Sequence, residues 1–152
     1  KGPNIMQGYY QLPQETEAVF DDQGYFKTGD MGQLDEEGFL YITGRIKEML
    51  IIGGENVFPR EIEEILTNHD DVLAAGVVGR KDASRGEVAV AFVELREGAI
   101  FDEGKLRSWC RDKIATFKVP KNIKVLDALP RNPTGKIVRR ELSLLVEKDA
   151  VS

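Results

Sequence analysis

Seven residues, Pro130-Arg131-Asn132-Pro133-Thr134-Gly135-Lys136, set one lysine at the tip of a stiff turn. Two prolines fix φ, and Gly135 permits a backbone that other residues resist. An ammonium presented this way is a compact point charge suited to phosphate or carboxylate oxygens. Joining a carboxylate to a phosphoryl group brings two repelling anions together, and charge grows on the phosphoryl oxygens during attack. A lysine bridging both groups lowers that barrier electrostatically. The run is not a P-loop, because the upstream glycine is absent and Ile137 follows where Ser or Thr is required.

Three upstream segments carry further candidates. In Tyr25-Phe26-Lys27-Thr28-Gly29-Asp30, the Asp30 carboxylate can accept from two hydroxyls, as a ribose diol offers. In Gly44-Arg45-Ile46-Lys47-Glu48, two cations stand where hairpin character gives way to mixed character. That is a credible interdomain boundary, and hinges lie at such element ends. In Gly53-Gly54-Glu55-Asn56, two glycines expose backbone N–H groups and allow a ligand chain to approach closely. Phe117-Lys118 and Ser84-Arg85-Gly86 add an aromatic and cations that could hold an adenine or a phosphate. Each has an ordinary reading beside the functional one: a solvated loop lysine, a turn-capping Asp, a surface turn, a tight turn before a helix, a core Phe. His69, near a helix end, reads as a partner for the helix dipole.

Composition narrows the setting. With 41% hydrophobic and 31% charged residues, the chain is an ordinary globular protein, one domain or one domain with an appendage. No apolar run approaches membrane-spanning length, and Lys1-Gly2-Pro3-Asn4 has no signal-peptide pattern. The opening without Met reads as a piece excised from a longer chain. One cysteine, Cys110, and one histidine exclude an internal disulfide and a His- or Cys-rich metal cluster, so no metal-ligating residues are assigned, and a cytoplasmic setting is expected. Net charge is -5, but Lys105 to Arg140 holds eleven Lys and Arg against Asp112 and Asp127. A +9 stretch on an otherwise acidic chain suggests an anionic ligand rather than general adhesion to nucleic acid.

The elements that must position these residues follow from pattern. Residues 1–43 read as β-hairpins: Ala18-Val19-Phe20 and Tyr25 to Thr28 flank Asp21-Asp22-Gln23-Gly24, and Gln33-Leu34 and Phe39 to Ile42 flank Asp35-Glu36-Glu37-Gly38. Two hairpins cannot bury a core alone, so they should lean on another domain. After Gly44, Met49 to Ile52 reads as a strand, and Pro59 starts a helix with Ile62, Ile65 and Leu66 on one stripe. Val72 to Val78 and Val88 to Leu95 read as strands. Asp102 caps a helix that buries Leu106, Trp109, Cys110 and Ile114. Asn122 to Leu126 reads as a strand, and Arg139 to about Lys148 as a last helix. The class is α+β: a small antiparallel or mixed sheet with about three helices, preceded by hairpins.

In order and spacing, these motifs strongly resemble the C-terminal region of adenylate-forming enzymes: acyl- and aryl-CoA synthetases, peptide-synthetase adenylation domains and luciferases. The likeness runs from about Gly8 to Leu142. It implies that residues 1–43 end a large N-terminal adenylation domain and that 44–152 form a mobile lid. It further implies that Asp30 binds the ATP or AMP ribose, Arg45 reaches the nucleotide, Lys47 is the hinge pivot, and Lys136 is the catalytic, nucleotide-contacting lysine of adenylation. Gly53, Gly54 and Glu55 would line the CoA pantetheine channel, with Phe117 and Lys118 near the CoA nucleotide. Val119 stands where relatives place an Arg toward CoA phosphate. Implied ligands are ATP or AMP, CoA and a carboxylic acid, with Mg2+ accompanying ATP and bound mainly by the absent domain.

The run Ile51 to Glu63 looks like medium- and long-chain acyl-CoA synthetases and some aryl-CoA ligases. The expectation is therefore a fatty-acid–CoA ligase whose C-terminal fragment is inactive alone. An amino-acid- or aryl-acid-activating domain that loads a carrier protein, and a non-catalytic binding module of the same fold, are the alternatives.

Overall fold

The computed structural model describes residues 1–149, and the chain divides into two compact units, Lys1–Lys47 and Glu48–Ser152. The division falls four residues beyond the boundary expected from sequence.

In the first unit, helix α1 (Pro13–Ala18) is followed by strands β1 (Asp30–Leu34) and β2 (Leu40–Arg45), which pair antiparallel. Their turn is built as expected: Asp35 Oδ1 accepts from the N–H groups of Glu37 and Phe39, and Gly38 takes φ +87°. The turn at Asp21 repeats this chemistry, its Oδ1 accepting from Gln23 and Tyr25 N–H. The hairpin expected around it does not extend, however. Pro13 opens a helix that absorbs Ala18, leaving only the Phe20–Phe26 bridge, with the two rings edge to face at 5.6 Å. None of the residues in this unit is buried, while Tyr10, Leu34, Phe39, Leu40 and Tyr41 are more than half exposed.

The second unit is a mixed sheet covered on both faces. Strands β3 (Leu50–Ile52) and β4 (Glu55–Val57) form a short hairpin. Strands β5 (Val72–Asp82) and β6 (Gly86–Leu95) form a long one, and β3 joins β6 at Ile52↔Gly86. Strand β7 (Asn122–Val125) runs parallel to β6, because helix α3 (Glu103–Arg111) lies in the connection between them. Helix α2 (Pro59–Thr67) and α3 cover one face, and α4 (Arg139–Asp149) covers the other.

The strand period divides the two layers. Ala89, Ala91 and Val93 of β6 pack with Ile62, Leu66, Leu106 and Cys110. Val90 and Phe92 pack with Leu142 and Val146. Gly76 lets α4 lie close on β5, since a Cβ there would sit 2.6 Å from Leu142 Cδ1 and push that side chain aside. The Asp102 side chain caps α3 by accepting from Lys105 N–H at 2.9 Å. Trp109 is half-buried and donates Nε1–H to the Ile65 carbonyl at 2.7 Å, fastening α3 to α2. Ile114 packs on the same core from beyond the end of α3.

Among the described residues three helices pack on the sheet, as expected, and α1 is a fourth in the first unit. His69 lies just beyond the end of α2. It is buried, its Nδ1 accepts the Asp71 N–H at 3.1 Å, and its ring meets Trp109 edge-on at 5.1 Å.

Cys110 is fully buried, and burial pushes its thiol up to about 11. A thiol reagent at about pH 8 should therefore leave the native protein unmodified and label it once it is unfolded; rapid labelling of the native protein would contradict this packing.

Candidate functional site

The Lys136 turn is closed by its own backbone. Gly135 N–H donates to Asn132 O at 2.9 Å, with Pro133 at the second turn position. Gly135 then takes φ +83°, and Asn132 N–H donates to Lys136 O at 2.9 Å. This is the three-residue hairpin loop in which a turn is followed by a glycine in the left-handed region. Asn132 Oδ1 braces it from inside, accepting from Thr134 N–H, Thr134 Oγ1–H and Lys136 N–H at 2.8–3.0 Å. Below the loop, Arg131 and Ile137 bridge, and Val138 N–H donates to Pro130 O. Lys136 is exposed, and its ammonium has no hydrogen-bond or ion-pair partner among the described residues. The flanking cations are tied: Arg131 to Glu94 at 3.3 Å, Arg139 to Glu63 and Glu48 at 2.7 and 2.9 Å. Burial pushes the Glu63 carboxyl above the usual range, opposed by the Arg139 guanidinium.

In the first unit, Asp30 and Arg45 face each other across β1 and β2, with Arg45 Nε 3.0 Å from Asp30 Oδ1. The preceding Thr28 Oγ1 accepts Asp30 N–H, and Gly29 takes φ +76° to turn the chain into the strand. Two residues predicted to serve one nucleotide thus stand side by side. Lys47 is exposed in the 3-10 turn Ile46–Glu48 and is the last residue of its unit.

Gly53 and Gly54 form the two-residue turn of the β3–β4 hairpin. Their φ values, +63° and +88°, are both positive as a type I′ turn demands. Gly53 differs from expectation in one respect: its N–H is not open to a ligand but donates to Arg85 O at 2.8 Å. Glu55 is exposed at the start of β4. Gly54 and Arg85 line a shallow groove, and Arg85 also lines a cavity of about 260 Å³ together with Phe117, Val119, Arg107, Arg111 and Lys121. Arg85 therefore joins the Gly53–Gly54 turn to Phe117.

Lys118 does not line that cavity. Its ammonium lies 2.8 Å from both oxygens of Glu61. Sequence reading missed Arg107, Arg111 and Lys121, although all three lie in the positive run noted above. The signal was Arg107 and Arg111 at helical spacing on α3, one face of one helix. Arg107 Nε is buried without a hydrogen-bond partner, the state of a donor that an anion would satisfy. Lys121 is held by Asp82, 2.7 Å away. Among the described residues, no three His, Cys, Asp or Glu gather to hold a metal, and no helix is long and apolar enough to cross a membrane.

A mixed sheet between helical layers matches the C-terminal domain of adenylate-forming enzymes. The family model for the AMP-binding enzyme C-terminal domain matches residues 61–136, and the chain belongs to that family. It is 48% identical over 148 residues to a 2-succinylbenzoate–CoA ligase of Geobacillus kaustophilus, covering 97% of this chain and 30% of that one. It is 46% identical over 142 residues to a long-chain-fatty-acid–CoA ligase of Bacillus subtilis, covering 93% and 25%. The solved o-succinylbenzoate CoA synthetase of Bacillus subtilis, in complex with its acyl-adenylate intermediate, superposes with a TM-score of 0.87 at 42% identity, covering 93% of this chain and 29% of that one. The chain thus spans less than a third of the length of these relatives.

Proposed function

We propose that the chain is the C-terminal part of an AMP-forming acid–CoA ligase. In this reading residues 1–43 finish a large adenylation domain, the rest forms its mobile lid, and the piece alone is inactive. The absence of any buried residue in the first unit supports the need for a partner domain, since a two-stranded sheet has no interior of its own. A carboxylate oxygen of the acid attacks the α-phosphorus of ATP. The bond to pyrophosphate breaks and acyl-AMP forms. Lys136 neutralises carboxylate and α-phosphate together, Asp30 accepts from the ribose hydroxyls, and Arg45 reaches the nucleotide. The lid then pivots at Lys47. The CoA sulfur attacks the acyl carbon along the Gly53-Gly54-Glu55 side, and AMP leaves. Mg2+ travels with ATP.

CoA's nucleotide suits the cavity at Phe117. An aromatic wall, three arginines and the unpartnered Arg107 Nε are a donor set for phosphates. They also supply from α3 and the β5–β6 turn the positive charge that Val119 does not.

The observation that carries the reading is the braced Lys136 turn, its ammonium without a partner among the described residues while the cations on either side are paired. Two acids compete. The Ile51 to Glu63 run and the 46% identity to a long-chain-fatty-acid ligase favour a fatty acid, whereas the 48% identity to a 2-succinylbenzoate ligase favours an aryl acid. The full-length protein should be incubated with ATP, CoA and either palmitate or 2-succinylbenzoate, and products identified by mass spectrometry. The reading requires AMP, pyrophosphate and one acyl-CoA, and the acid consumed decides between the two. Release of ADP and phosphate, or transfer only to a carrier protein, would overturn it.

A further inference from the structure

Arg139 opens α4, three residues after Lys136, and its guanidinium spans two carboxylates on two other elements. Nη2 and Nε lie 2.7 and 3.2 Å from the Glu63 oxygens on α2, and Nη1 lies 2.9 Å from Glu48 Oε2. Glu63 is itself fixed, since its Oε1 also accepts the Val77 N–H of β5 at 2.8 Å. Glu48 is the first residue of the second unit, directly after Lys47. One side chain thus fastens the base of the Lys136 turn to a helix, to the sheet and to the start of the unit. The other stem is held more weakly: Arg131 is exposed, reaches Glu94 at 3.3 Å, and otherwise bonds to its own loop at Gly135 O.

We infer that Arg139 is a positioning residue for Lys136, anchoring the base of its turn to Glu63 and Glu48 so that turn and hinge-proximal segment move as one body. This rests on Lys136 being the adenylation lysine. The planar fork of arginine meets two carboxylates at once; a lysine ammonium at the same place cannot reproduce both contacts. Because the lysine must meet two anions together, a displacement of its turn by about 1 Å is enough to cost on the order of 10²-fold in rate.

The test uses the full-length protein with Arg139→Gln, Arg139→Lys, Glu48→Gln and Lys136→Ala. Acyl-AMP formation, thioester formation from supplied acyl-AMP, and melting temperature are measured for each. Arg139→Gln and Arg139→Lys should both lower kcat for adenylation by about 10- to 100-fold, with thioester formation nearly unchanged. Glu48→Gln should give a smaller loss in the same half-reaction. Adding Arg139→Gln to Lys136→Ala should cost nothing further, because the two act through one ammonium. Equal loss in both half-reactions, in step with melting temperature, would reduce Arg139 to a fold-stabilising residue and overturn the inference. So would intact adenylation in the Arg139 variants beside a Lys136→Ala protein that has lost it. If Lys136→Ala itself adenylates normally, the underlying reading falls first. Should Arg139→Gln fail to fold, Glu48→Gln decides, since it leaves the Arg139–Glu63 pair in place.

Discussion

Lys136→Ala in the full-length protein is expected to cut acyl-adenylate formation by about 10²–10³-fold, the usual effect of removing one preorganised group that stabilises developing charge. Thioester formation from supplied acyl-AMP should survive. The asymmetry follows from where the charge problem lies. Two anions must meet only in the first half-reaction, and an exposed ammonium with no partner among the described residues is available to both. The substitution is not expected to disturb the turn, whose hydrogen bonds are made by backbone and by the Asn132, Thr134 and Arg131 side chains, none by the Lys136 side chain. A stopped or single-turnover assay of acyl-AMP checks the prediction. Undiminished adenylation, or equal loss of both half-reactions, would remove Lys136 from the proposed role.

The largest effect on stability is expected from Phe92→Ala. Phe92 is 1% exposed on β6, opposite Gly76 of β5 and next to Lys124 of β7, and it packs in the layer closed by Leu142 and Val146 of α4. Truncating a buried Phe removes its transfer energy and leaves a void, together about 3–5 kcal/mol. That is a large share of the roughly 5–15 kcal/mol that a domain commands. Urea denaturation should show the midpoint falling by about 1 M or more, or the second unit unfolding outright. A loss below about 1 kcal/mol would mean that α4 closes over the site without it.

Much of the second unit was legible because its signals are local. Pro59 and Asp102 mark helix starts through backbone geometry and a side-chain cap, and the apolar spacing of Ile62 and Leu66 shows which face turns inward. The turn chemistry of Asp21 and Asp35 was legible for the same reason. Strand partners were not. Nothing within Asn122–Val125 says that it lies parallel to β6, because the partner is chosen by the α3 crossover rather than by the strand's own residues. The shortened first hairpin is a contest between local signals, in which the proline-initiated helix prevailed over the β-prone Ala18-Val19-Phe20.

The candidate site divides the same way. Lys136, Asp30 and Arg45 sit in motifs whose order could be read. The cavity cations Arg107, Arg111 and Lys121 come from a helix and a loop that converge only in three dimensions. The identity of the acid was only weakly legible, since the Ile51 to Glu63 run resembles fatty-acid and some aryl-acid ligases alike.

The parallel strand β7 has a kinetic consequence. The β5–β6 hairpin can close once Leu95 has emerged from the ribosome, but the flank of β6 from Val90 to Val93 must wait for Asn122–Val125. Until then an apolar, β-branched ribbon stands open along one side, a template for pairing with a neighbouring chain. Premature termination before Asn122 would therefore leave molecules with an unpaired edge, whereas emergence of Val125 lets β7 seal that border.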